Sequence, residues 1–568
     1  MSDEIEIVEG DFVSFDTEDN SPVLLKAGLS GANKVCTQIA ALGRRCQEYH
    51  SAGDVSGFLH WLQAQGENCV AYAHNLQYDL GNLFRDNLDE LDVRMVGGRL
   101  ISARWRNIKF LDSFNVWPMS LKKVGSAVGL EKGVLDIHSR DYVMRDVQIV
   151  RKAMIEAQRF AALHGVSGLP STLGGLCVKL WTAMGGKNFR CTDRFARAAY
   201  YGGRVELFHA GGRGRIGYTD INSLYPWCMT QTFPEDWCEL DSLDGWGAAD
   251  VTLQIPKDFV APLPVRRQDG SVYYPHGLIR PTPPPGEKEG AWTLHEIRDA
   301  LAHGAKLKAI HRVMGSEAGG YPYRDFVNKF YELRRTETNG ARNLMLKLCL
   351  NNLYGRLGNS GMVTRSFNLK AEDFTEQGTY IADGTPFGTK RLANVQMPLD
   401  STTNYIHAAY VTAYGRLELN RYLRQIGAGR LIYCDTDSVM FFMQRKEIPF
   451  PISDALGAMK LEGYGWKCIT HAPKVYQFGK EFKAKGIRRD LAKQFVQAGS
   501  VAIEQPYKFR EAATFFDAKL DAEGRVLRGK NLKPLSVWRV VVKRRISKYD
   551  RKTQDASGVY WPKKHSAK

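Results

Sequence analysis

The chain has 568 residues, of which 44% are hydrophobic and 24% are charged. This length is too great for a single hydrophobic core, so we expect two or more globular domains. The 78 lysines and arginines outnumber the 61 acidic residues, and the resulting net charge of +17 favours a polyanionic partner such as nucleic acid.

The sequence carries no mark of a secreted, zinc-binding or membrane-spanning protein. Its ten cysteines form no C-x-x-C pair, which argues against a structural zinc site and suits reduced thiols in the cytosol. The N-terminus is acidic and lacks the apolar stretch of a signal peptide. No apolar run approaches the roughly 18 residues of a membrane span. We therefore expect a cytoplasmic protein with no membrane partner.

The first part of the chain, residues 8–150, alternates between predicted strands and helices, as in an α/β domain. Strands are predicted at residues 13–16 and 69–74, and a helix at residues 147–163. Glycine-rich stretches at residues 173–175 and 200–204 predict a linker between domains.

The second part, from about residue 190 to the end, is interrupted by two stretches. Residues 235–322 include a proline-rich run that predicts an extended surface loop, and residues 360–398 are rich in turn signals. Between these stretches, the helical spacing before the Asn339-Gly340 turn and the helix formers of residues 342–354 predict two antiparallel helices. The C-terminal end is strongly basic.

Two carboxylates lie two residues apart in Asp435-Thr436-Asp437. Their apolar flanks predict two strands joined by a tight turn. Crowded acids repel each other, and a divalent cation is the usual compensation. Asp220 follows a predicted strand and is the candidate third carboxylate of a two-metal site for phosphate chemistry. Considered alone, an Asp after a strand is more often a helix cap or turn residue.

One helix face is the candidate phosphate-binding element. Lys347, Asn351 and Tyr354 recur at i, i+4 and i+7 and therefore share a face. Arg335, on the preceding predicted helix, is expected to face the same space as Lys347. A solvated basic face is the competing interpretation of this helix considered alone.

A second set of acids lies near the N-terminus. Asp16 and Glu18 stand at i and i+2 on one face of a predicted strand. Tyr142 and Asp146 stand at i and i+4 of a predicted helix, and Asp79 is a further acid between these pairs. Each pair is weak evidence by itself, because exposed strand ends often carry acids.

Taken together, these segments resemble the family B DNA polymerases. D-x-x-S-L-Y-P at 220–226, K-x-x-x-N-x-x-Y-G at 347–355 and Y-x-D-T-D-S at 433–438 match the first palm, the fingers and the second palm motifs, in the family's order. D-x-E at 16–18, N-x-x-Y-D at 75–79 and Y-x-x-x-D at 142–146 resemble the 3′–5′ exonuclease domain of the same polymerases, although the family usually has Phe where Tyr78 stands. The resemblance implies an α/β and α+β multidomain fold, an RNase H-like exonuclease domain followed by a right-hand polymerase with two insertions.

The resemblance also implies roles in nucleotide addition. Asp220 and Asp437, with the backbone carbonyl of Ile221, would ligate two Mg²⁺ ions, and Asp435 would support them. Lys347 and Arg335 would bind the triphosphate of the incoming nucleotide, and Tyr225 would exclude a 2′-hydroxyl. The pocket for the nascent base pair would be shaped by Asn351, Tyr354 and Gly355.

For the exonuclease domain, the resemblance implies a second two-metal site. The Mg²⁺ ligands there would be Asp16, Glu18, Asp79 and Asp146. Tyr142 would orient the attacking water, and Asn75 would contact the single-stranded primer end. Lys132 fits a lysine motif of this domain. At both sites Mn²⁺ is expected to be able to replace Mg²⁺.

Three features resemble the protein-primed branch of the family, found in linear-genome viruses and plasmids. The chain is short for family B, the motif Tyr200-x-Gly202-Gly203 lies between the two domains, and two insertions fall where that branch carries its own. In that branch the first insertion contacts a terminal protein, and the second surrounds template and primer to give processivity and strand displacement. The branch's DNA-contact motifs resemble Thr412-x-x-Gly-Arg416 and Lys474-x-Tyr476.

The expected partners are primer–template DNA, deoxynucleoside triphosphates and a terminal protein primer, bound by a monomer in the cytoplasm of a host cell if the protein is viral. The predicted boundaries are an exonuclease domain (1–190) and a polymerase domain (191–568), the latter divided into palm (191–234, 323–330 and 399–460), first insertion (235–322), fingers (325–359), second insertion (360–398) and thumb (461–568). The alternatives are a family B polymerase that uses an ordinary primer or none, a non-catalytic DNA-binding replication factor, and an RNA-templated polymerase. Tyr225 and the fused exonuclease disfavour the last of these, and the intact acids disfavour the replication factor.

Overall fold

The structure is a computed structural model. It describes residues 11–20, 35–84, 87–373, 381–387, 389–444, 447–487, 489–498, 500–509, 519–520, 526–527, 537–546, 549–556 and 559–565.

Strands and helices alternate in the N-terminal part and segregate further along the chain. The strands are β1 (Val13–Asp19), β2 (Cys36–Leu42), β3 (Glu48–Ser51), β4 (Val70–Ala73), β5 (Asp92–Val96), β6 (Arg99–Trp105), β7 (Ile108–Asp112), β8 (Val205–Leu207), β9 (Gly211–Ile221), β10 (Phe233–Pro234), β11 (Cys238–Glu239), β12 (Trp246–Ile255), β13 (Val265–Arg266), β14 (Val272–Tyr273), β15 (Gly277–Ile279), β16 (Trp292–Thr293), β17 (Lys306–Ser316), β18 (Gly319–Gly320), β19 (Met362–Asn368), β20 (Thr385–Phe387), β21 (Lys390–Gln396), β22 (Leu431–Asp435), β23 (Ser438–Phe442), β24 (Met459–Ala472), β25 (Val475–Phe478), β26 (Glu481–Ala484), β27 (Ser500–Phe509), β28 (Lys519–Leu520), β29 (Val526–Leu527), β30 (Val537–Ile546), β31 (Lys552–Gln554) and β32 (Tyr560–Pro562). The α-helices are α1 (Val55–Gln63), α2 (Leu76–Leu83), α3 (Leu121–Ala127), α4 (Arg140–Leu163), α5 (Leu173–Ala183), α6 (Arg194–Ala198), α7 (Leu224–Met229), α8 (Leu294–Ala302), α9 (Arg324–Thr336), α10 (Gly340–Leu357), α11 (Tyr405–Ile426) and α12 (Arg489–Ala498). Short 3₁₀ turns lie at Leu88–Glu90, Ser113–Asn115 and Ala371–Asp373.

The N-terminal part forms a mixed sheet, here called the first sheet. Its strands run in the order β20-β21-β19-β5-β6-β7-β4-β1-β2-β3. β1 pairs in parallel with β4 and antiparallel with β2, so it is an interior strand. Its residues are almost all buried, which agrees with the predicted apolar strand at residues 13–16. Helix α4 packs against β1 and β2 and is longer at its N-terminus than the predicted helix, because Ser139 caps it by accepting from the Tyr142 amide.

A second sheet, built from later parts of the chain, runs in the order β26-β25-β24-β9-β23-β22-β8. All of its pairings are antiparallel. Helices α7 and α11 pack together, and α11 also contacts β23 of this sheet. Because β24, β25 and β26 belong to the second sheet, residues 461–484 continue the predicted palm, and we correct the predicted thumb boundary accordingly.

The stretch at residues 235–322 is a folded unit with its own sheet. β12 pairs with β15, β16 and β17, and β17 also pairs with β11. Helix α8 packs on β12, and a separate hydrophobic cluster fills the space between them. The predicted proline-rich loop connects β15 to β16; Pro281 is buried and the later prolines of the run are more exposed.

Helices α9 and α10 form the predicted antiparallel pair. Asn339 caps α10 by accepting a hydrogen bond from the Arg342 amide at 3.1 Å. The hairpin β19–β21 follows directly and joins the first sheet, because Thr364 and Arg365 of β19 pair with Met95 and Arg94 of β5. The second insertion is therefore continuous with the N-terminal sheet, a contact that the local sequence did not predict.

The C-terminal part contains a ten-residue antiparallel pairing of β27 with β30 and ends in the hairpin β31–β32. This last hairpin returns to the second sheet, where the Tyr560 amide donates to the Phe208 carbonyl at 2.9 Å. One linker prediction is wrong: residues 173–175 begin helix α5, which Thr172 caps. Over the described residues, no helix combines the length and apolar character that a bilayer span requires.

Candidate functional site

Asp220 and Asp437 lie side by side at one edge of the second sheet. Asp220 is the penultimate residue of β9, and it pairs directly with Ser438, the first residue of β23. The Ile221 amide donates a hydrogen bond of 2.7 Å to the Asp437 carbonyl oxygen. Thr436, in the connecting turn, has a φ of 62°, in the left-handed region. The predicted strand–turn–strand is confirmed, and it brings together acids that are distant in the chain.

Ionising the carboxyl groups of Asp220 and Asp437 costs free energy when no cation is bound. Burial, with a further contribution from Asp437, raises the pKa of Asp220 to about 7. Burial also raises the pKa of Asp437 to about 6, and the neighbouring Asp435 adds to this rise. A pair of half-buried carboxylates that repel each other is stabilised by a divalent metal ion. The donor set therefore fits Mg²⁺, with Ile221 placed next to Asp220 at the strand end.

Asp435 is held differently from its two neighbours. The Lys474 ammonium contacts both of its carboxylate oxygens at 2.8 Å, and the Tyr433 hydroxyl donates to it at 3.1 Å. The Lys474 amide in turn donates to the Tyr433 hydroxyl at 2.9 Å. The charge of Asp435 is therefore paired within the protein, unlike the charges that Asp220 and Asp437 would carry. The predicted DNA-contact residue Lys474 is thus part of the acid cluster, and Tyr476 is buried beside it.

These acids open onto a lysine-rich cleft of about 1010 Å³. Its wall is formed largely by the β25–β26 hairpin and by α12. Four exposed lysines line it in addition to Lys474, namely Lys480, Lys483, Lys485 and Lys493. Lysines facing a metal-binding edge suit phosphate groups. The sequence motifs did not indicate these lysines; Lys483 lies on β26, and Lys485 directly follows the end of that strand.

The predicted nucleotide-binding face of α10 is exposed as expected. Lys347 and Asn351 are both exposed, and the Asn351 amide donates to the Lys347 carbonyl at 2.8 Å. Arg335, at the end of α9, pairs with Glu332 at 3.3 Å and lines a separate surface cleft of about 690 Å³. Neither Arg335 nor Lys347 lines the cleft beside Asp220, so the structure does not place these two side chains in one shared cleft.

Tyr225, on helix α7, and Tyr354, on helix α10, are in contact through their rings. Their ring centroids lie 4.6 Å apart, which joins α7 to α10. A side chain at Gly415 of α11 would contact the Tyr225 ring at 3.4 Å, so a residue without a side chain lies against it. Burial raises the pKa of Tyr225, which therefore stays neutral. A rigid neutral ring at this position is suited to a steric role.

The predicted interdomain motif lies directly behind the turn that carries Asp437. Any side chain at Gly203 would come within 2.8 Å of the Thr436 side chain, which explains the glycine. The Thr436 amide donates to the Arg204 carbonyl at 2.8 Å. Gly202 is exposed, and Tyr200 is half-buried against Gly358 at the end of α10. This loop supports the acidic turn from behind.

The prediction that Thr412 and Arg416 contact DNA directly is corrected by their burial. Arg416 is 1% exposed and forms an ion pair with Glu296 at 2.8 Å. It also donates to the carbonyl oxygens of Tyr201 and Gly202, both at 2.8 Å. Thr412 is buried and donates to the Ala409 carbonyl. Both side chains are used inside the protein, where Arg416 fixes the interdomain loop.

A second acidic cluster lies on the first sheet. Oxygen atoms of Asp16, Glu18 and Asp146 all lie within 4.8 Å of one another, the spacing of a metal site. Strand β1 supplies the first two and helix α4 the third, as the sequence predicts. Burial raises the pKa of Asp16, with added repulsion from Asp79 and Asp146, and burial raises the pKa of Glu18 to about 7. The donor set fits Mg²⁺ for the same reason as at the first site.

Asp79 lies beside this cluster rather than in it. Its carboxylate accepts hydrogen bonds from the Thr17 amide at 3.0 Å and the Thr17 hydroxyl at 2.9 Å. Burial raises its pKa, and these two hydrogen bonds lower it. In this arrangement Asp79 holds the strand segment between Asp16 and Glu18, and it is close enough to Asp16 to repel its charge.

Two further predicted residues border the second cluster. Lys132 forms an ion pair with Asp146, and its ammonium lies 4.7 Å from the centroid of the buried Tyr142 ring. The third predicted residue, Asn75, is exposed at the start of α2 in a left-handed conformation, and its backbone N–H donates to the Asp112 carboxylate at 2.9 Å. A cation and a phenol thus lie beside Asp146.

Comparison with known proteins identifies the family. A family described as DNA polymerase type B, organellar and viral, matches residues 131–414. The chain belongs to this family. It is 25% identical over 464 residues to the DNA-directed DNA polymerase of Enterobacteria phage PRD1, spanning 76% of this chain and 78% of the phage protein. It is 25% identical over 400 residues to the DNA polymerase of Bacillus phage phi29, spanning 62% of this chain and 63% of that protein.

Solved structures of the phi29 DNA polymerase share the fold. The complex with primer–template DNA and incoming nucleotide aligns with a TM-score of 0.67 at 17% identity and covers 94% of this chain and 100% of that one. An orthorhombic crystal form of the same enzyme aligns with a TM-score of 0.68 at 16% identity. The multidomain type B polymerase fold expected from the motifs is therefore confirmed, and the chain is a DNA polymerase by family.

Proposed function

We propose that this protein copies a DNA template at the Asp220–Asp437 edge and removes mispaired 3′ ends at the Asp16–Glu18–Asp146 cluster. The observation that carries the proposal is the presence of two separate acidic clusters on two separate sheets, each with pKa values raised mainly by burial. Two independent metal-type sites in one chain suit synthesis and editing. Synthesis forms a phosphodiester at the α-phosphate of a triphosphate and releases pyrophosphate, editing hydrolyses a phosphodiester, and each reaction is suited to a two-metal arrangement.

In the polymerase reaction, each chain element has a distinct task. Asp220 and Asp437, with the Ile221 carbonyl, would hold Mg²⁺, which supplies charge stabilisation at the attacking and leaving oxygens. Asp435, paired with Lys474, would keep the turn in place without taking the metal's charge. Lys347 and Arg335 would bind the triphosphate of the incoming deoxynucleotide. Closer approach of α9 and α10 to the cleft would be needed for this contact.

The editing reaction would use the first sheet. Asp16, Glu18 and Asp146 would hold the metal ions, and Asp79 would keep β1 in position through Thr17. The Lys132 ammonium lies beside both Tyr142 and Asp146, so it would stabilise the negative charge that develops as the phosphodiester is cleaved. Asn75, exposed at the start of α2, would contact the single-stranded primer end.

Reciprocal inactivation tests both assignments in one protein. Asp437→Ala should abolish primer extension with Mg²⁺ and leave degradation of single-stranded DNA unchanged. Asp16→Ala combined with Asp146→Ala should do the reverse. Matched controls are Asp454→Ala and Asp141→Ala, exposed acids close to the respective sites. Extension by the Asp437 variant, or metal-dependent degradation by the double variant, would contradict the corresponding assignment.

We further propose that synthesis starts on a protein hydroxyl and proceeds with strand displacement. The support is membership in a family with phage relatives, together with the folded stretch at residues 235–322 and the strands β19, β20 and β21 of the predicted second insertion. The test is to incubate the enzyme with Mg²⁺, labelled deoxynucleotide and the product of the neighbouring gene, without a nucleic-acid primer. A covalently labelled protein band is expected. Extension that occurs only from a DNA primer would favour the ordinary family B mode.

A further inference from the structure

A buried lysine lies near the C-terminal end of the chain, in the last hairpin. Lys552, the first residue of β31, is 3% exposed, although Thr553 and Gln554, the next two residues of the strand, are exposed. Its ammonium lies 3.3 Å from a carboxylate oxygen of Glu206 and 3.6 Å from the centroid of the Phe208 ring. Burial lowers its pKa to about 8, so it remains a cation at neutral pH.

Lys552 completes a triad of buried charges. Glu206 also accepts a hydrogen bond of 2.7 Å from Arg204, and both residues are fully buried. Arg204 donates further to the Ala261 carbonyl at 2.9 Å and to the Asn420 side chain at 2.7 Å. The order of charges is plus, minus, plus, which leaves one uncompensated positive charge in the interior. Buried ion triads are rarely a net source of stability, so stability does not explain this lysine.

Glu206 of the triad lies on β8, the strand that pairs with β22 next to the proposed polymerase carboxylates. Glu206 and its neighbour Val205 lie on β8, where they pair with Cys434 and Asp435 of β22. One residue earlier, the Arg204 carbonyl accepts the Thr436 amide at 2.8 Å. The backbone of residues 204–206 thus forms hydrogen bonds to the turn that carries Asp435 and Asp437 and to the strand before it.

The same triad connects this turn to the end of the C-terminal region. Lys552 comes six residues after the last residue of β30, and Tyr549, just before it, accepts a hydrogen bond from the Leu207 amide at 3.4 Å. The hairpin that Lys552 begins is also bonded to Phe208. The hairpin β31–β32 and the preceding Tyr549 are therefore in contact with β8 and with Phe208, the residue that follows it.

We propose that Lys552 is a positioning residue for nucleotide addition: by fixing Glu206 and Arg204 on β8, it keeps the Asp435–Asp437 turn in its productive position. This inference rests on the proposed polymerase function. Lys552 does not contact substrate. Its effect passes through the β8–β22 pairing and through the hydrogen bond between Arg204 and Thr436.

The test compares Lys552→Met with Lys552→Arg in the full-length protein. Methionine preserves most of the volume and removes the charge, whereas arginine preserves the charge. We expect Lys552→Met to lower kcat for single-nucleotide addition by about tenfold to a hundredfold, the loss that follows a misplacement of up to about 1 Å. KM for the nucleotide should change by less than about twofold, because the triphosphate contacts lie elsewhere. Lys552→Arg should retain most of the wild-type kcat.

Two further readouts separate positioning from general stability. Degradation of single-stranded DNA should be unchanged in Lys552→Met, because that site lies on the first sheet, and Tm should not fall, because Arg204 and Glu206 remain a neutral pair. Lys564→Met, an exposed lysine of the same segment, is the matched control. If Lys552→Met does not fold, Lys552→Gln replaces it, since it also leaves the Arg204–Glu206 pair intact, and it should show the same loss of kcat with unchanged exonuclease.

Wild-type kcat in Lys552→Met, or an equal loss of both activities with a lower Tm, would overturn the proposal. Either of these results in Lys552→Gln would overturn it as well. Failure of the proposed function itself would look different, because the wild-type protein would then not extend a primer.

Discussion

Replacing Leu392 with alanine should destabilise the first sheet, although Leu392 lies on the hairpin β19–β21, which is distant in the chain from most strands of that sheet. Its side chain is 7% exposed and lies in the hydrophobic cluster of the first sheet, together with Val93 and Met95. Leu→Ala substitutions in protein cores cost about 2–5 kcal/mol. Leu392 is near the edge of its cluster, so we expect the lower half of this range, about 2–3 kcal/mol.

Hydrogen–deuterium exchange read by mass spectrometry can localise this cost. If amides of β5, β6 and β7 exchange through opening of the sheet, a loss of about 2–3 kcal/mol raises their exchange rates by about 30- to 150-fold. Amides of β9 and β23 on the second sheet should be unaffected. Met362→Ala is the matched control: Met362 lies on the same hairpin but is 42% exposed, and its loss should cost less than about 0.5 kcal/mol.

Equal exchange behaviour of the Leu392 and Met362 variants would refute this reasoning. It would mean that the insertion only touches the first sheet and adds nothing to its core. Faster exchange confined to the hairpin β19–β21 would lead to the same conclusion, because the cost would then be local to the insertion.

Three other outcomes follow from the site geometry. Burial keeps Glu18 protonated up to about pH 7, so Mg²⁺ binding should release protons and weaken as the pH falls below 7, which calorimetry in buffers of different ionisation enthalpy can measure. In metal-free protein the same raised pKa makes stability fall as the pH rises from about 4.5 to 7. Glu18→Gln should reduce this slope without removing it, because the raised pKa values of Asp220 and Asp437 contribute to it as well. Tyr225→Val should admit ribonucleotides and Tyr225→Phe should not, as measured by the ratio of kcat/KM for the two sugars; equal selectivity in both variants would end its role as a steric gate. DNA affinity should fall linearly on a log–log plot against salt, and Lys483→Ala should reduce the slope by about 0.9; an unchanged slope would place DNA outside the lysine-rich cleft.

Much of the site could be predicted because its chemistry is local in sequence. Asp16 and Glu18 alternate along one strand, and Asp435 and Asp437 flank one turn, so short-range geometry alone brings each pair together. The helix pair α9–α10 follows in the same way from periodicity and from the Asn339 cap. For these residues the chain neighbours are also the spatial neighbours.

Other assignments failed because the deciding contacts are long-range. Arg416 matches a DNA-contact pattern, yet Glu296 and the carbonyl oxygens of the interdomain loop surround it. The predicted thumb boundary falls too early because β24 resembles any exposed strand until its pairing with β9 is known. Likewise, nothing in residues 362–396 indicates that they extend the sheet that begins with β5.

The sequence by itself determined the family and the acids of both clusters, since each depends on side-chain type at short spacing. Only the tertiary structure decided that Lys474 neutralises Asp435, that Asp79 lies beside its cluster, and that Lys552 reaches Glu206 from the far end of the chain. The physical reason is that charge pairing and burial depend on which segments meet in space. Which segments come into contact is decided by strand pairing between distant parts of the chain rather than by local propensity.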